Sequence, residues 1–588
     1  MFVQITKAGT TMNTNINSQT HPRRMCYKQM NIPDGFICIG YKLVYGNLPF
    51  NPEASLYGLP LYDVIHYVIE RQNAVQYTLG SKDDQDKLID EFHSLLRFTP
   101  KYNLKLARKK YSKFFLFDNM ATLLFIMLAT EYCDNSSRSL TDAEIERIYQ
   151  TYLYCNDYWS GKQEKGIEPL IPQKNLPGMY LMADIPIIEF KFHKDFKSQL
   201  FKGGQLFMFM ESNEPYKTYL NMFYKEQNIA DWKNYIELLL SFYTSTIEKC
   251  IVQVDEQNSL VRPFFDSLCI DLTCNEGRSL WTNKNIMYLR EHPLLKAKDS
   301  FYLVINPNLI IDRIYQSLKF DIFEAMITNN ALNKNGKPIK QRTTFFSMLG
   351  NDFSEHNIFY SVIEKAFSGI ATKMYSGIKL KEEGVIAEPD YYVRIGDSLL
   401  LFEYKDVTLS DDVKQSYDYE MVKNAILGRL CKDDGTTRKG VGQLLFTANE
   451  IMTNKSMQNI DPDSLNVKRI YPIVVTTDRS FNSMGVQHLI IEAASTIINK
   501  YSIPSYISNP FIIDSDDILF MSKKISDGQI DFISLLDEYN IKNERHLSSF
   551  NTYLLDHHRN SVLMREDDMR HIFSELMDNV EHQTEKKQ

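Results

Sequence analysis

One stretch of the sequence places acidic and basic side chains inside apolar runs. Residues 388–406 read EPDYYVRIGDSLLLFEYKD, with strand-like sequence on both sides of a central Gly-Asp. A glycine in the first position of a two-residue loop favours a type II′ turn, so the sequence predicts a β-hairpin. Asp390 lies near the start of its first strand, and Glu403 and Lys405 lie near the end of its second.

The turn determines which residues face each other. A two-residue Gly-Asp loop places Asp390 opposite Glu403, and Glu388 opposite Lys405. Directly opposed residues of antiparallel strands share a face, and residues two apart along one strand share a face as well. We therefore expect Asp390, Glu403 and Lys405 to converge, with Glu388 beside them.

These residue types indicate a particular chemistry. Two opposed carboxylates repel each other, so they need positive charge nearby, and Lys405 supplies one charge. Mg²⁺ prefers oxygen ligands and typically uses one or two carboxylates together with substrate phosphate oxygens. Such an ion activates water, and a lysine can neutralise charge that develops on the phosphate. The stretch therefore predicts a metal-dependent phosphodiesterase site.

The Pro-Asp at Asp390, followed by Glu-Tyr-Lys from Glu403 to Lys405, resembles the PD-(D/E)xK nuclease superfamily. The resemblance covers about residues 344–522. It implies an α/β restriction-endonuclease-like core, in which a mixed central sheet is flanked by helices. It also implies that Asp390 and Glu403 bind Mg²⁺ or Mn²⁺ and that Lys405 orients or activates water.

Other segments contain only part of this pattern. Pro-Asp also occurs at Asp34 and Asp463, without an acid-x-Lys at hairpin distance downstream. The segment IPIIEFKF carries Glu189 and Lys191, but no Pro-Asp precedes it at a suitable distance. We predict that IPIIEFKF is an ordinary strand with one polar face.

The family often carries a glutamate on the helix before the hairpin, and residues 353–367 predict that helix. At about 100° per residue, Glu355 falls near the centre of its apolar face and Glu364 falls on the opposite side. We assign Glu355 as an additional metal ligand or water-assisting group, and expect Glu364 to be solvated. The alternative for Glu355 is a carboxylate in the first helical turn, where the helix dipole favours it.

A glutamine on the helix after the hairpin also occurs in many family members. Gln443 falls in the first turn of the predicted helix GVGQLLFTANEIM, where it would support the geometry of the site. Arg438 and Lys439 come just before this helix. They either contact the nucleic-acid backbone or are ordinary solvated charges.

A basic segment lies far from this pattern. Residues 97–113 hold seven basic and no acidic residues, interleaved with aromatic side chains. Basic groups contact phosphates and aromatic rings stack on bases, so Arg108, Lys109 and Lys110 are candidate nucleic-acid contacts. The alternative is a solvated basic helix face next to a buried apolar run.

The composition indicates a folded protein without a membrane span. The chain has 588 residues, is 44% hydrophobic and 24% charged, and carries a net charge of −8. Its eight cysteines form no CxxC pair, which is typical of free thiols in a reducing compartment. The apolar run at residues 120–132 is shorter than a span requires, and we read it as a buried helix. We expect a cytoplasmic location.

Four regions are predicted along the chain. Residues 1–330 form a mainly helical N-terminal region for sensing, specificity or assembly with a second copy or a partner protein. Residues 331–343 form a polar linker. Residues 344–522 form the nuclease domain, in which PFIIDSDDILFM at 510–521 reads as a strand, and residues 523–588 form a helical C-terminal segment.

The expected function is a Mg²⁺- or Mn²⁺-dependent endonuclease that acts on DNA, with restriction or anti-phage defence as a role by analogy only. An RNase remains open, because DNA and RNA present the same phosphate to the metal. A gated or catalytically inactive nuclease fold that binds nucleic acid or serves as a scaffold also remains open.

Overall fold

The computed structural model divides into two units by its internal contacts. The first takes its residues from Met1–Lys174, Phe190–Phe196 and Phe223–Leu318, and the second from Asn175–Glu189, Lys197–Met222 and Lys319–Gln588. The second unit therefore includes segments from the N-terminal half of the chain. The residues described are 37–76, 82–111, 114–191, 196–246, 250–254, 261–297, 300–454, 457–501, 503 and 506–559.

The first unit is mainly helical. Its short strands are β1 (Ile37–Cys38), β2 (Phe114–Phe115), β3 (Ile251–Gln253), β4 (Leu294–Lys296) and β5 (Phe301–Val304). β1 and β2 pair in parallel, and the other three form an antiparallel sheet in the order β3–β5–β4. Its α-helices are Tyr41–Tyr45, Pro52–Leu56, Leu61–Gln76, Lys82–Leu95, Phe98–Lys110, Asn119–Tyr132, Asp142–Ile167, Trp232–Thr246, Val261–Ser267, Asn275–Arg278, Leu280–Asn283, Ile286–Glu291 and Pro307–Asp312.

Two sequence signals explain the central helices of this unit. The Asn119–Tyr132 helix is capped by Asp118 and has an almost wholly buried surface, as its apolar composition predicts. The Asp142–Ile167 helix begins with a capping box, in which Thr141 and Glu144 bond reciprocally to each other's backbone amides. No helix in the described part of the chain is long and apolar enough to cross a membrane.

The second unit contains a five-stranded mixed sheet. Its strands are β6 (Lys373–Ser376), β7 (Tyr391–Ile395), β8 (Ser398–Lys405), β11 (Arg469–Thr476) and β12 (Phe511–Asp514), and a separate hairpin pairs β9 (Cys431–Asp433) with β10 (Arg438–Gly440). The order is β12–β11–β8–β7–β6. β8, β11 and β12 are parallel, whereas β6 and β7 are antiparallel to their neighbours. The α/β class that the sequence predicts is therefore present.

Helices surround this sheet. The parallel strands need crossover connections, and helices at 419–430, 441–454 and 486–501 lie in those connections. The helices of this unit are Leu176–Asp184, Phe196–Ser212, Leu318–Thr328, Arg342–Leu349, Gly350–Phe359, Tyr360–Phe367, Gly377–Glu382, Asp411–Lys414, Tyr419–Leu430, Val441–Asn454, Val486–Tyr501, Ser515–Ser526, Phe532–Lys542 and Phe550–His557. Ile188–Lys191 and Tyr216–Gln227 contain residues assigned to both units, and the first residues of Phe196–Ser212 and Leu318–Thr328 also belong to the first unit. Short 3₁₀ turns lie at Glu168–Leu170, Pro462–Asn466, Arg479–Asn482 and Glu544–His546.

One edge of this sheet collects the carboxyl ends of the parallel strands. Thr476 at the end of β11 is in register with Lys405 of β8 and with Asp514 of β12. Because β7 runs antiparallel to β8, the start of β7 lies at this same edge. The carboxyl edge of parallel strands is the usual place for ligands in α/β sheets.

Three sequence predictions differ from the fold. The predicted strand IPIIEFKF is wrong, because residues 188–191 are helical. The segment PFIIDSDDILFM is a strand only as far as Asp514, whose side chain caps a helix that starts at Ser515. Residues 331–343, predicted to be a linker, lie inside the second unit, and Ile339 within them is buried and donates its amide to the Ala331 carbonyl.

Candidate active site

The β7–β8 hairpin has the register that the sequence predicts. Ile395 pairs with Ser398, and the ladder continues in step to Tyr391 and Phe402. Gly396 has a φ of 57°, the positive value that a type II′ turn needs at its first central position. The turn therefore fixes the alignment of the residues at the far end of the hairpin.

Asp390 lies immediately before β7, where the ladder has ended. Its Oδ2 accepts a hydrogen bond of 2.7 Å from the amide of Tyr404, the residue between Glu403 and Lys405. Its carbonyl accepts a 2.8 Å bond from the amide of Gly377. A Cβ at Gly377 would lie 2.8 Å from the carbonyl oxygen of Pro389, so only glycine permits the two backbones to approach this closely.

Glu403 and Lys405 lie on the other strand of the hairpin. The Glu403 side chain is 1% exposed and the Lys405 side chain is 21% exposed, and the Glu403 Oε1 lies 2.5 Å from the Lys405 Nζ. The second oxygen, Oε2, has no hydrogen-bond partner among the described residues. A buried carboxylate oxygen that lacks a donor is costly, so this atom is incompletely satisfied by the protein alone.

The three side chains influence one another's titration. Burial raises the pKa of Asp390 to about 6, against the attraction of Lys405. Burial and the neighbouring Asp390 raise the pKa of Glu403 well above its usual range. Burial would lower the pKa of Lys405, but the charges of Glu403 and Asp390 outweigh it and raise that pKa. Burial and neighbouring carboxylates therefore disfavour the ionised forms of Asp390 and Glu403.

The charge of Glu355 acts on the same three side chains. Its charge contributes to the raised pKa values of Asp390, Glu403 and Lys405. Glu364 instead is exposed and accepts a 3.1 Å hydrogen bond from the Tyr391 hydroxyl.

The helix around Glu355 differs from the one that the sequence predicts. Residues 350–359 are π-helical and lie between α-helical segments, so Glu355 is far from a first helical turn. The Tyr360 amide donates to the Glu355 carbonyl, and the Tyr360 hydroxyl donates to the Glu355 carboxylate at 2.9 Å. A π-turn in a helix is rare and frequently occurs at functional sites.

The donor set suits a hard divalent cation. Asp390 and Glu403 offer carboxylate oxygens, and the Glu403 Oε2 has no hydrogen-bond partner among the described residues. Mg²⁺ typically uses one or two protein carboxylates together with substrate phosphate and water. Within the described ranges, no group of three or more His, Cys, Asp and Glu side chains is arranged to hold a metal ion. The remaining ligands would therefore have to come from water and substrate.

Gln443 lies in the first turn of the Val441–Asn454 helix, where the sequence predicts it. Thr447, one turn later on the same helix face, donates a 2.7 Å hydrogen bond to the carbonyl of Ala387, three residues before Asp390. This face of the helix therefore points towards the chain that leads into β7.

The basic residues before this helix differ in their environment. The guanidinium of Arg438 lies 3.8 Å from the ring centre of Phe446 and 3.4 Å from the Tyr501 hydroxyl, and its Nε is 3.8 Å from Asp433. These contacts anchor Arg438 within the β9–β10 hairpin region, whereas Lys439 is exposed.

The three candidate residues of the first unit also differ. Arg108 is bound to Asp90, with Asp86 3.9 Å away, so its charge is already partnered. Lys109 and Lys110 are exposed at the end of the Phe98–Lys110 helix.

The partial matches elsewhere in the chain form no such site. Glu189 is helical and lies 2.6 Å from the Lys414 ammonium, and Asp463 lies in a 3₁₀ turn. Asp34 lies outside the described residues.

Comparison of the chain with protein-family models, with curated proteins and with solved structures gives no match.

Sequence reasoning missed two residues that shape the site. The backbone of Pro389 and Asp390 packs closely against Gly377, which leaves no room for a side chain there. The Tyr360 hydroxyl donates a hydrogen bond to Glu355. In an α-helix, residues five apart do not share a face, so no α-helical pattern would have paired Tyr360 with Glu355.

Proposed function

We propose that this protein is a metal-dependent nuclease that hydrolyses phosphodiester bonds, with DNA as the first substrate to test. The proposal includes the restriction-endonuclease-like fold that the PD-(D/E)xK pattern implies. It is carried by one observation: the buried Glu403 has one oxygen on Lys405 and a second oxygen without a donor among the described residues. A cation at that second oxygen would complete a site beside Asp390.

Each side chain has a role that follows from its position. Asp390 and Glu403 would hold Mg²⁺ or Mn²⁺, and Glu355 would hold an associated water. When bound, the ion supplies a lowered water pKa and positive charge for the phosphate oxygens. Lys405, held in place by Glu403 and still partly exposed, orients the attacking water and neutralises charge on the phosphate.

The environment supports these roles. The Tyr404 amide fixes the Asp390 carboxylate at 2.7 Å, and the Tyr360 hydroxyl fixes Glu355 at 2.9 Å. The ring of Tyr404 stacks on Phe359 at 4.9 Å between centroids, which ties β8 to the π-helical segment. Such fixed side chains lower the reorganisation that a reaction requires.

A second candidate function rests on the same ion pair. The Lys405 ammonium neutralises the near oxygen of Glu403 at 2.5 Å without any metal ion. A nuclease fold that binds nucleic acid without cutting it would use the pair in this way. The two candidates differ in whether the site binds a divalent cation.

The deciding experiment is a cleavage assay with the full-length protein. Wild type and Lys405→Ala are incubated with supercoiled plasmid, single-stranded DNA and RNA, in Mg²⁺, Mn²⁺ or EDTA. We expect cutting that requires the metal and is lost in Lys405→Ala, and the substrate that is cut separates DNase from RNase. Cutting that persists in EDTA would contradict the proposal.

A calorimetric titration with Mn²⁺ distinguishes the candidates when no cutting is seen. Wild-type binding that Asp390→Asn abolishes supports a gated nuclease, whereas no binding by wild type supports the non-catalytic protein. Glu364→Gln is the matched control, because Glu364 is an exposed glutamate on the helical segment next to Glu355. We expect Glu364→Gln to bind and cut like wild type.

A further inference from the structure

The helix Phe98–Lys110 in the first unit presents large apolar side chains to solvent. Phe98 is 90% exposed, Tyr102 is 60% exposed and Leu106 is 45% exposed. The opposite side of the helix is packed through the buried Leu104 and Ala107. These exposed side chains therefore contribute little to the core, and their retention on the surface points to an interaction.

Exposed aromatic rings and lysines lie on one face of this helix. Phe98, Tyr102, Lys105 and Lys109 follow one another at spacings of four, three and four residues, and Lys101 flanks them. Such spacings keep Tyr102, Lys105 and Lys109 on a single face, and Phe98 lies one turn before Tyr102 at the start of the helix. We refer to these five residues as the Phe98 face.

The charge of this face has one sign. The helix contains no acidic residue, and Lys101, Lys105 and Lys109 are all exposed. The nearby Asp86 and Asp90 are engaged with Arg108. A polyanion is the complementary partner, whereas a second copy of the same face would meet like charge.

The basic residues of this helix also influence the nearby His93. Burial lowers the pKa of His93, and the charges of Lys101, Arg108 and Lys105 lower it further. These effects exceed the opposing attraction of Asp90.

The backbone of Phe98 adds an independent observation. Phe98 has a φ of 45°, in the left-handed region that favours glycine over a bulky side chain. A strained and nearly fully exposed phenylalanine costs stability and gains no burial in return. Strained residues of this kind cluster at ligand contacts.

We propose that the Phe98 face binds single-stranded nucleic acid. Bases stack on Phe98 and Tyr102, and the phosphates of the same strand contact Lys101, Lys105 and Lys109. Stacking on aromatic rings requires bases that are not paired in a duplex, and it combines with a basic surface in proteins that bind single strands without sequence preference. This function is separate from catalysis at Asp390.

The test measures binding by fluorescence anisotropy with the full-length Lys405→Ala protein in EDTA, so that no cleavage occurs. The probes are labelled oligothymidylate and oligouridylate of about 20 nucleotides, and a duplex of the same length. Salt is varied from about 50 to 200 mM. Because no metal is present, a lack of binding in this assay does not contradict the proposed nuclease site. A lack of cleavage in the nuclease assay does not contradict binding at the Phe98 face.

The aromatic variant is Phe98→Gly with Tyr102→Ala. We expect its Kd for the single strands to rise at least about tenfold, because both base-stacking contacts are lost. Glycine suits the φ of residue 98, so the urea midpoint should not fall. Tyr57→Ala is the matched control, because Tyr57 is another exposed aromatic of this unit, at 76%. We expect wild-type affinity from it.

The charge variant replaces Lys101, Lys105 and Lys109 with alanine. For three phosphate contacts on a single strand, the slope of log K against log salt should fall by about 2. Stronger binding of oligothymidylate than of oligouridylate, or the reverse, shows which of these two single strands the surface prefers.

Four results would overturn the proposal. They are no single-strand binding by the parent protein, unchanged affinity in the aromatic variant, tighter binding of the duplex than of the single strands, or loss of affinity in Tyr57→Ala equal to that in the aromatic variant. Vesicles of phosphatidylserine and phosphatidylcholine serve as a separate arm. Binding to vesicles without binding to oligonucleotides would assign the face to an anionic membrane surface instead.

Discussion

Each end of the β7–β8 hairpin holds an ion pair with a buried carboxylate, but the two carboxylates differ in how many hydrogen bonds they accept. Near the turn, Arg394 donates to both oxygens of Asp461 at 2.6 and 2.9 Å, and the Tyr392 hydroxyl donates to the same carboxylate at 2.8 Å. At the other end, Glu403 has Lys405 on one oxygen and no donor on the other among the described residues. The same strands therefore carry one satisfied pair and one unsatisfied pair.

This difference separates a structural pair from a candidate functional one. A fully hydrogen-bonded buried pair is complete without a ligand, and its hydrogen bonds hold Arg394 in its charged form by raising its pKa. The Glu403 end instead accumulates carboxylates whose pKa values are raised. Buried carboxyl groups that resist ionisation, next to the partly exposed Lys405, suit a cationic ligand and an anionic substrate.

The largest expected effect comes from breaking the satisfied pair. Arg394→Met leaves Asp461, which is fully buried, without its partner, and should lower the free energy of unfolding by about 3–5 kcal/mol. Urea denaturation measures this change. A loss below about 1 kcal/mol would show that the pair near the turn is dispensable.

The unsatisfied pair should respond in activity more than in stability. Lys405→Met should lower the cleavage rate at least about 100-fold, because a positive group at the phosphate is removed. Glu403 can take up a proton, since its pKa is already raised, so the loss of stability should be well below that of Arg394→Met. Lys468→Met, at an exposed ion pair beside the turn, is the control and should change neither quantity.

The pH dependence of stability gives the next effect. The raised pKa of Asp390, about 6 instead of 3.8, means that the folded state holds this proton more tightly than the unfolded state. Its stabilising contribution is present below about pH 4 and is lost as the pH rises through 6. In EDTA, Asp390→Asn should therefore exceed wild type by on the order of 2 kcal/mol above pH 7 and match it near pH 4.

Urea denaturation at both pH values tests this prediction. Parallel pH profiles for the two proteins would contradict it. Mg²⁺ should raise the Tm of wild type above pH 7 and leave the Tm of Asp390→Asn unchanged, because a bound ion stabilises only the protein that binds it.

The smallest effect concerns the π-helical segment. Tyr360→Phe removes the hydrogen bond that orients Glu355, so kcat should fall about three- to tenfold with KM unchanged. Tyr391→Phe is the matched control, because it removes an equivalent bond to Glu364. Equal losses in both variants would show that Tyr360 acts through general packing and not through Glu355.

Local rules account for the parts of the site that the sequence predicted correctly. The loop length and the glycine at its first position fixed the pairing of β7 with β8, and alternation along the strand fixed the common face of Glu403 and Lys405. The capped helix at Thr141 follows from neighbours in the chain in the same way. The strand predicted at IPIIEFKF failed, because a short apolar run reads equally well as a helix.

The sequence by itself determined which chemistry this chain can offer, because the residue types and a two-residue turn place two carboxylates and a lysine together. Only the tertiary structure decided which other residues surround and position these three side chains. The π-turn brings the Tyr360 hydroxyl within hydrogen-bond distance of Glu355, and Gly377 leaves room for the backbone of the residue before Asp390. In the first unit, Arg108 forms an ion pair with Asp90. These contacts join residues whose partners depend on packing and on helix geometry, and a pattern read along the chain does not contain them.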